Sequence, residues 1–365
     1  FKNGTEYEKY FSLRDIFAIS QNAIKTDKDA LFVDFDKSDQ QRKMKTYFLD
    51  EIPSQFIDDY ELTPTSSYDP IEAKSGVSFR IDDIQKCLYR PFDYRWMYYN
   101  KGVTSRPAWK VMEHLVGEAN LSLITTRQAT GGYFNHVLAT NCISEIKSAS
   151  HDRGSEVFPL FQKATGLEVK KGKVEFKSNF TINFKNCIES ILANIGNEKE
   201  SIKPEQIFCY ILAILNSPSY QTRYFENLKI DFPKIPFLKN KDFLIELALL
   251  GENIFSLQCL NFDLKKSELG FPVTGKRLVE KVSYNAKDKK LFINSEEYFS
   301  QVSEAAWNYE ACGYQVIAKW LKDRKNRSLA YDEIETLRKI IISVERTIDI
   351  RVAIDEKIEK FGGWK

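Results

Sequence analysis

Arginine, glutamine and lysine set among aromatic residues are the side chains here whose types and spacing suit a chemical task. The run Tyr89-Arg90-Pro91-Phe92-Asp93-Tyr94-Arg95-Trp96-Met97-Tyr98-Tyr99-Asn100 is followed by Ser105-Arg106-Pro107-Ala108-Trp109-Lys110 and then by Thr126-Arg127-Gln128. Arginine reads guanine through two hydrogen bonds, glutamine reads adenine, and lysine neutralises phosphate. Each string also has a plain structural reading. Asp93 and Arg95 fall on one strand face, where they can pair while the aromatics make core, and that reading is preferred for Arg90 and Arg95. Arg127-Gln128 follow an apolar strand and precede Gly131-Gly132, a place that favours loop exposure. Lys147, His151 and Arg153 flank a serine-rich turn and can touch a DNA backbone or simply be solvated. Lys170-Lys171-Gly172-Lys173 reads first as a solvated hairpin tip. The candidate DNA-contacting residues are therefore Arg106, Lys110, Arg127, Gln128, Lys147, His151 and Arg153.

Other chemistries find no footing. There is no GxxxxGK[ST] cradle for nucleotide phosphates, no GxGxxG opening a helix and no GxSxG nucleophile elbow. The three histidines, His114, His136 and His151, have no metal-binding spacing. The six cysteines form no CxxC or CxC pair, which argues against zinc and disulfides and fits reduced thiols buried as small apolar groups. An Asn/Asp-Pro-Pro-Tyr/Phe tetrapeptide, which adenine methyltransferases use to hold a flipped base, is absent. Tyr89-Arg90-Pro91-Phe92 and Ile230-Asp231-Phe232-Pro233 do not match it, and Ser219 to Lys229 lacks the acidic pair of a nuclease centre. No catalytic residue, metal ligand or cofactor is expected in this chain.

The elements that must position the candidates come next. At 365 residues and 42.4 kDa the length suits two domains or one large one. Hydrophobic residues make up 43% and charged residues 28%, ordinary for a globular protein. The longest apolar run, Ile207 to Leu215, is too short for a membrane span, so a cytoplasmic location is expected, and the start at Phe1 without Met suggests a piece of something larger. Net charge is only +2, but it is unevenly spread: residues 1–85 carry 11 Lys/Arg against 17 Asp/Glu, and residues 86–177 carry 14 against 8. The middle third thus holds the positive excess that a DNA footprint requires.

Strand patterns (Tyr94 to Tyr99, Leu121 to Thr126, His136 to Ala139, Glu156 to Phe161) dominate the middle. Helical patterns dominate from Pro204 onward, with stops at Asn216-Ser217-Pro218 and at Pro233 and Pro236. A hairpin is expected from Val279–Tyr284 with Leu291–Ile293. Ile334, Leu337, Ile341, Val344 and Ile348 recur at spacings of three and four, the seam of a coiled-coil-like helix. The fold class is α+β. The boundaries read as an N-terminal α/β segment over 1–85, a recognition lobe over 86–200 and a mainly helical part over 201–365.

Several of these strings, in order, resemble the C-terminal specificity domain of type ISP restriction-modification enzymes. They begin with Leu13-Arg14-Asp15-Ile16-Phe17 and Ala23-Ile24-Lys25-Thr26-Asp27-Lys28-Asp29. The second usually runs Gly-Ile/Val-Lys-Thr-Gly-Arg-Asp, so Ala23 and Asp27-Lys28 are departures. Tyr89 to Arg95, Thr126-Arg127-Gln128, Val157 to Phe161, Tyr210 to Ser217, Asp231 to Pro236 and Gly313 to Lys325 follow, and together they cover roughly Leu13 to Asp355. The resemblance implies a fold like that of type I specificity subunits: an α/β target-recognition lobe, and long helices that dock on a methyltransferase domain. It further implies a bacterial enzyme in which this domain reads an asymmetric double-stranded DNA site and presents an adenine to an upstream methyltransferase domain. S-adenosylmethionine would then be bound by that domain. The alternative is an interaction scaffold that assembles an enzyme complex without reading DNA.

Overall fold

The computed structural model describes residues 4–117, 120–164, 176–193, 202–236, 241–264 and 269–364. The chain is a mixed α+β protein and divides into two compact units, neither of them one continuous stretch. A mixed unit comprises Phe17–Thr125 with Thr140–Phe180, and a helical unit comprises Phe1–Ile16, Thr126–Ala139 and Thr181–Lys365. The lysine-rich segment 170–173 lies outside the described residues.

The mixed unit is built on a sheet in which Asp93–Tyr98 lies between Val33–Asp34 and Ile84–Arg90, both antiparallel to it. Ile143–Ser144 adds in parallel beyond Ile84–Arg90. The aromatic run forms a hairpin whose second strand is the one expected at Tyr94 to Tyr99: Pro91-Phe92 makes the reversal, with Phe92 at a φ of 61° and a bulge between Leu88 and Arg90. Helix Lys37–Tyr47 starts at Asp36, whose carboxylate accepts from the Ser38 and Asp39 N–H groups. Its Met44 and Tyr47 close a core with Leu31, Phe32, Leu62, Ile84, Tyr98 and Val103. Elsewhere in the unit Glu156–Pro159 pairs antiparallel with Gln21–Asn22 and with Ser122–Thr125.

This pairing alters the expected boundaries. Val33–Asp34 joins the same sheet as Asp93–Tyr98, so the acidic N-terminal segment and the basic middle share one unit instead of parting at 85. That unit carries 21 Lys/Arg against 22 Asp/Glu, so the positive excess of 86–177 is balanced by the chain it folds with.

In the helical unit, helix Pro204–Asn216 is buried from Ile207 to Asn216. It packs against Lys241–Gln258, and that helix packs on the long Tyr331–Lys360. Gly251 makes the first contact possible, since a Cβ there would fall 1.9 Å from the Cys209 carbonyl oxygen. The expected seam of the last helix is only part of its buried surface. Ile334, Leu337, Ile341 and Val344 are buried, but so are Ile340, Ile342, Ser343 and Thr347, so the helix is enclosed on all sides through 340–344. Helices also pack on it from Pro218–Arg223, Glu304–Trp307 and Val316–Lys322. The expected hairpin is present as Ser283–Asn285 with Lys290–Phe292, and Tyr298–Ser300 extends it to three strands.

Candidate DNA interface

The polar residues of the aromatic hairpin are used internally. The Arg95 guanidinium donates from Nε and Nη2 to Asp93 Oδ2 at 2.9 and 2.7 Å. Arg90 Nη1 meets Glu145 Oε2 at 2.5 Å, with the Glu145 side chain buried and that of Arg90 partly so. Tyr89 lies against both guanidinium groups, each 3.9 Å from its ring centroid, and its hydroxyl donates to Asp29 Oδ2 at 2.7 Å. Asp29 also accepts from Thr26 Oγ1. The family-like strings Lys25 to Asp29 and Tyr89 to Arg95 therefore meet in one partly buried ionic cluster, and the structural reading of Arg90 and Arg95 holds. Burial pushes the Glu145 carboxyl up to about 7, with Arg90 opposing that rise and Asp29 adding to it.

Five candidates project from this scaffold in the mixed unit. Arg106 is exposed, and its backbone pairs with Lys25 in both directions, at 3.1 and 2.9 Å. Asp27 supports the pairing by accepting from Ser105 Oγ at 2.6 Å and holding Lys25 Nζ at 2.5 Å. Lys110 is exposed on the short helix Trp109–Met112, which Ala108 enters at a φ of 50°. Tyr99 fixes that entry by donating to the Pro107 carbonyl at 2.6 Å and stacking on Trp109, and the Lys101 ammonium stands 5.4 Å over the Trp109 ring centroid. Lys147, His151 and Arg153 belong to the loop 146–155. Its stem is closed by Ser155 N–H to Ile146 O at 2.8 Å and by Ala149 N–H to Ser155 Oγ at 2.8 Å. His151 and Arg153 are exposed at its tip, while half-buried Lys147 donates to the Arg153 carbonyl at 3.3 Å.

Arg127 and Gln128 are in the helical unit, apart from the other five in the division of the chain. Both are exposed, as the loop position predicts, but their donors are engaged. Arg127 Nε donates to Asp231 Oδ1 at 2.8 Å, and Gln128 Nε2 donates to the Ile230 carbonyl at 3.0 Å. Both side chains thus contact one turn of the protein, Ile230 and Asp231. Sequence reading passed over Arg14, whose guanidinium carbon stands 4.6 Å over the Phe232 ring beside that turn. Its only signal was its place in Leu13 to Phe17. Among the described residues, no group of three or more His, Cys, Asp or Glu is arranged to hold a metal ion, and no helix is long and apolar enough to cross a membrane.

No curated protein matches the chain. Solved structures do share its fold. One, titled an ATP-dependent Type ISP restriction-modification enzyme LlaBIII bound to DNA, superposes with a TM-score of 0.73 at 18% identity, over 95% of this chain and 24% of that one. A nuclease-deletion mutant of the Type ISP enzyme LlaGI in complex with a DNA substrate mimic gives 0.67 at 19%, over 96% and 34%. A DrdV–DNA complex gives 0.72 at 16%, over 94% and 38%. The chain therefore spans between 24% and 38% of the length of these relatives. A family model for the Type ISP C-terminal specificity domain matches residues 15–351, and the chain belongs to that family.

Proposed function

We propose that this chain recognises a double-stranded DNA target for a bacterial restriction-modification enzyme and presents an adenine there to a methyltransferase domain. The observation that carries this reading is the family match over residues 15–351. The DNA-bound state of the solved relatives supports it. Arg106, Lys110, Lys147, His151 and Arg153 act as contacts to DNA, held by the strand pairing at Lys25, the braced Trp109–Met112 helix and the closed loop 146–155. Cations of this kind fix register on the duplex, and side chains reaching base edges add the sequence information. The chain itself performs no catalysis. Base flipping and methyl transfer with S-adenosylmethionine belong to the methyltransferase domain.

Selection from a randomised duplex library followed by fluorescence anisotropy over a salt series tests the reading. Enrichment of one asymmetric sequence is expected. Lys110→Ala should weaken binding to selected and scrambled duplexes alike and flatten the logarithmic salt slope by about one unit, as loss of one phosphate contact requires. Absence of both enrichment and salt-dependent binding would favour the scaffold.

A further inference from the structure

The turn Leu228 to Pro233 in the helical unit is held by two separate segments of the chain. From one, the Ala129 N–H donates to the Leu228 carbonyl at 2.8 Å, and the Gln128 amide donates to the Ile230 carbonyl at 3.0 Å. From the other, the Leu13 N–H donates to the Pro233 carbonyl at 3.1 Å, and Phe11–Ser12 pairs with Lys234–Ile235. These segments bring Arg127 to the Asp231 carboxylate and Arg14 over the ring of its neighbour Phe232. Arg127 bonds Asp231 directly, and Arg14 acts on it by charge from its position over Phe232. Partial burial works to raise the Asp231 carboxyl, but the Arg127 and Phe232 donors and both guanidinium charges hold it below the usual carboxylate range. The direct pair is open to solvent, its side chains 62% and 57% exposed.

We propose that Arg14 and Arg127 form a seat for a DNA backbone phosphate, which Asp231 fills when no DNA is bound. An exposed pair of this kind is worth only about 0–1 kcal/mol, so an incoming anion can displace it. The ligand class follows from charge. A phosphodiester replaces one anionic oxygen with another and keeps both guanidinium groups compensated. A neutral acceptor on a base edge would part the carboxylate from its donor and return no charge for it. Backbone hydrogen bonds at Leu13 and Ala129, close to the two arginines, tie both segments to the turn, so the exchange needs side-chain motion alone. This assignment rests on the DNA-binding reading and gives Arg127 a phosphate role in place of the base-reading one.

The test is binding of the whole chain to selected and scrambled duplexes across a salt series, with melting temperature measured on each variant. Asp231→Asn should tighten binding to both duplexes by the same factor, since no carboxylate has to leave the seat, and should keep the wild-type logarithmic salt slope, since the same phosphate is neutralised in both. Arg127→Ala should weaken both equally. In the Arg127→Ala background the effect of Asp231→Asn should shrink to that of Glu356→Gln, a control that removes one exposed carboxylate elsewhere in the unit. Weaker binding by Asp231→Asn, a gain that persists without Arg127, or a loss confined to the selected duplex in Arg127→Ala would each overturn the seat and leave the DNA reading standing. Failure of the wild-type chain to bind any duplex would overturn both.

Discussion

Asp27 occupies a left-handed backbone position, φ 57°, at the place where the usual form of the string it resembles has glycine. Glycine is the residue that adopts this conformation without steric cost, and aspartate is among the few others that tolerate it. Here its carboxylate is also engaged, by Ser105 and Lys25, so the departure from the family pattern is offset locally. The Asp93–Arg95 pair was legible in the sequence because two residues apart on a strand means one face. The Arg90–Glu145 pair was not, since 55 residues separate the partners and only the parallel pairing of Ile84–Arg90 with Ile143–Ser144 brings them together. Glu145 sets a pH dependence. Its folded-state carboxyl is raised by burial to about 7 from an ordinary value of 4.5. The folded protein therefore binds more protons than the unfolded chain across that window, and stability is lost as pH rises through it. The melting temperature should fall between pH 5 and pH 8, and Glu145→Gln should flatten the fall. An equally steep fall in the variant would assign the pH dependence to other groups.

At the scale of elements, helix ends were well predicted because proline and capping residues act locally. Pro204 begins a helix, and Ser217 ends it and caps the next by accepting from the Tyr220 N–H. Which surface of a helix is buried depends on neighbours that local spacing does not name, and so the last helix was read as a narrow seam. The close approach of Pro204–Asn216 and Lys241–Gln258 at Gly251 was equally hidden, because a lone glycine in a helical pattern does not name the backbone it meets. Gly251→Ala sets two effects against each other. Alanine favours the helix by about 1 kcal/mol over glycine. Its methyl group, however, would sit 1.9 Å from the Cys209 carbonyl oxygen, a backbone atom that cannot rotate away. Overpacking of this kind costs about 1–3 kcal/mol, and an overlap with backbone belongs at the upper end. The net effect should be a lower melting temperature in thermal unfolding followed by circular dichroism. An unchanged or raised melting temperature would mean that the two helices separate without penalty.

On the scale of the whole molecule, the chain changes unit after Ile16, Thr125, Ala139 and Phe180. Composition and periodicity describe neighbours in sequence, so they favoured contiguous blocks and placed a boundary at 200. The helical unit shows what such a boundary would cut away. Lys234–Ile235 has Phe11–Ser12 as its strand partner. The Leu228 carbonyl is capped by the Ala129 N–H, the Cys312 N–H bonds the Asn135 carbonyl at 3.1 Å, and the Ala139 N–H bonds Gln258 Oε1 at 2.8 Å. Buried Phe134, Val137, Leu138 and Ala139 come from the same inserted segment. A fragment of residues 201–365 would lose these apolar side chains, each worth about 1.5–3 kcal/mol for the larger ones when fully buried, and would leave several backbone groups without their partners. Folded domains carry only about 5–15 kcal/mol of net stability, so losses of this size consume much of it. Fragment 201–365 should therefore melt without a cooperative transition and bind a hydrophobic dye, whereas the 365-residue chain should melt cooperatively. A sharp melt and a dispersed amide spectrum from the fragment would show that the segments 1–16 and 126–139 are appended to this unit and not part of its core.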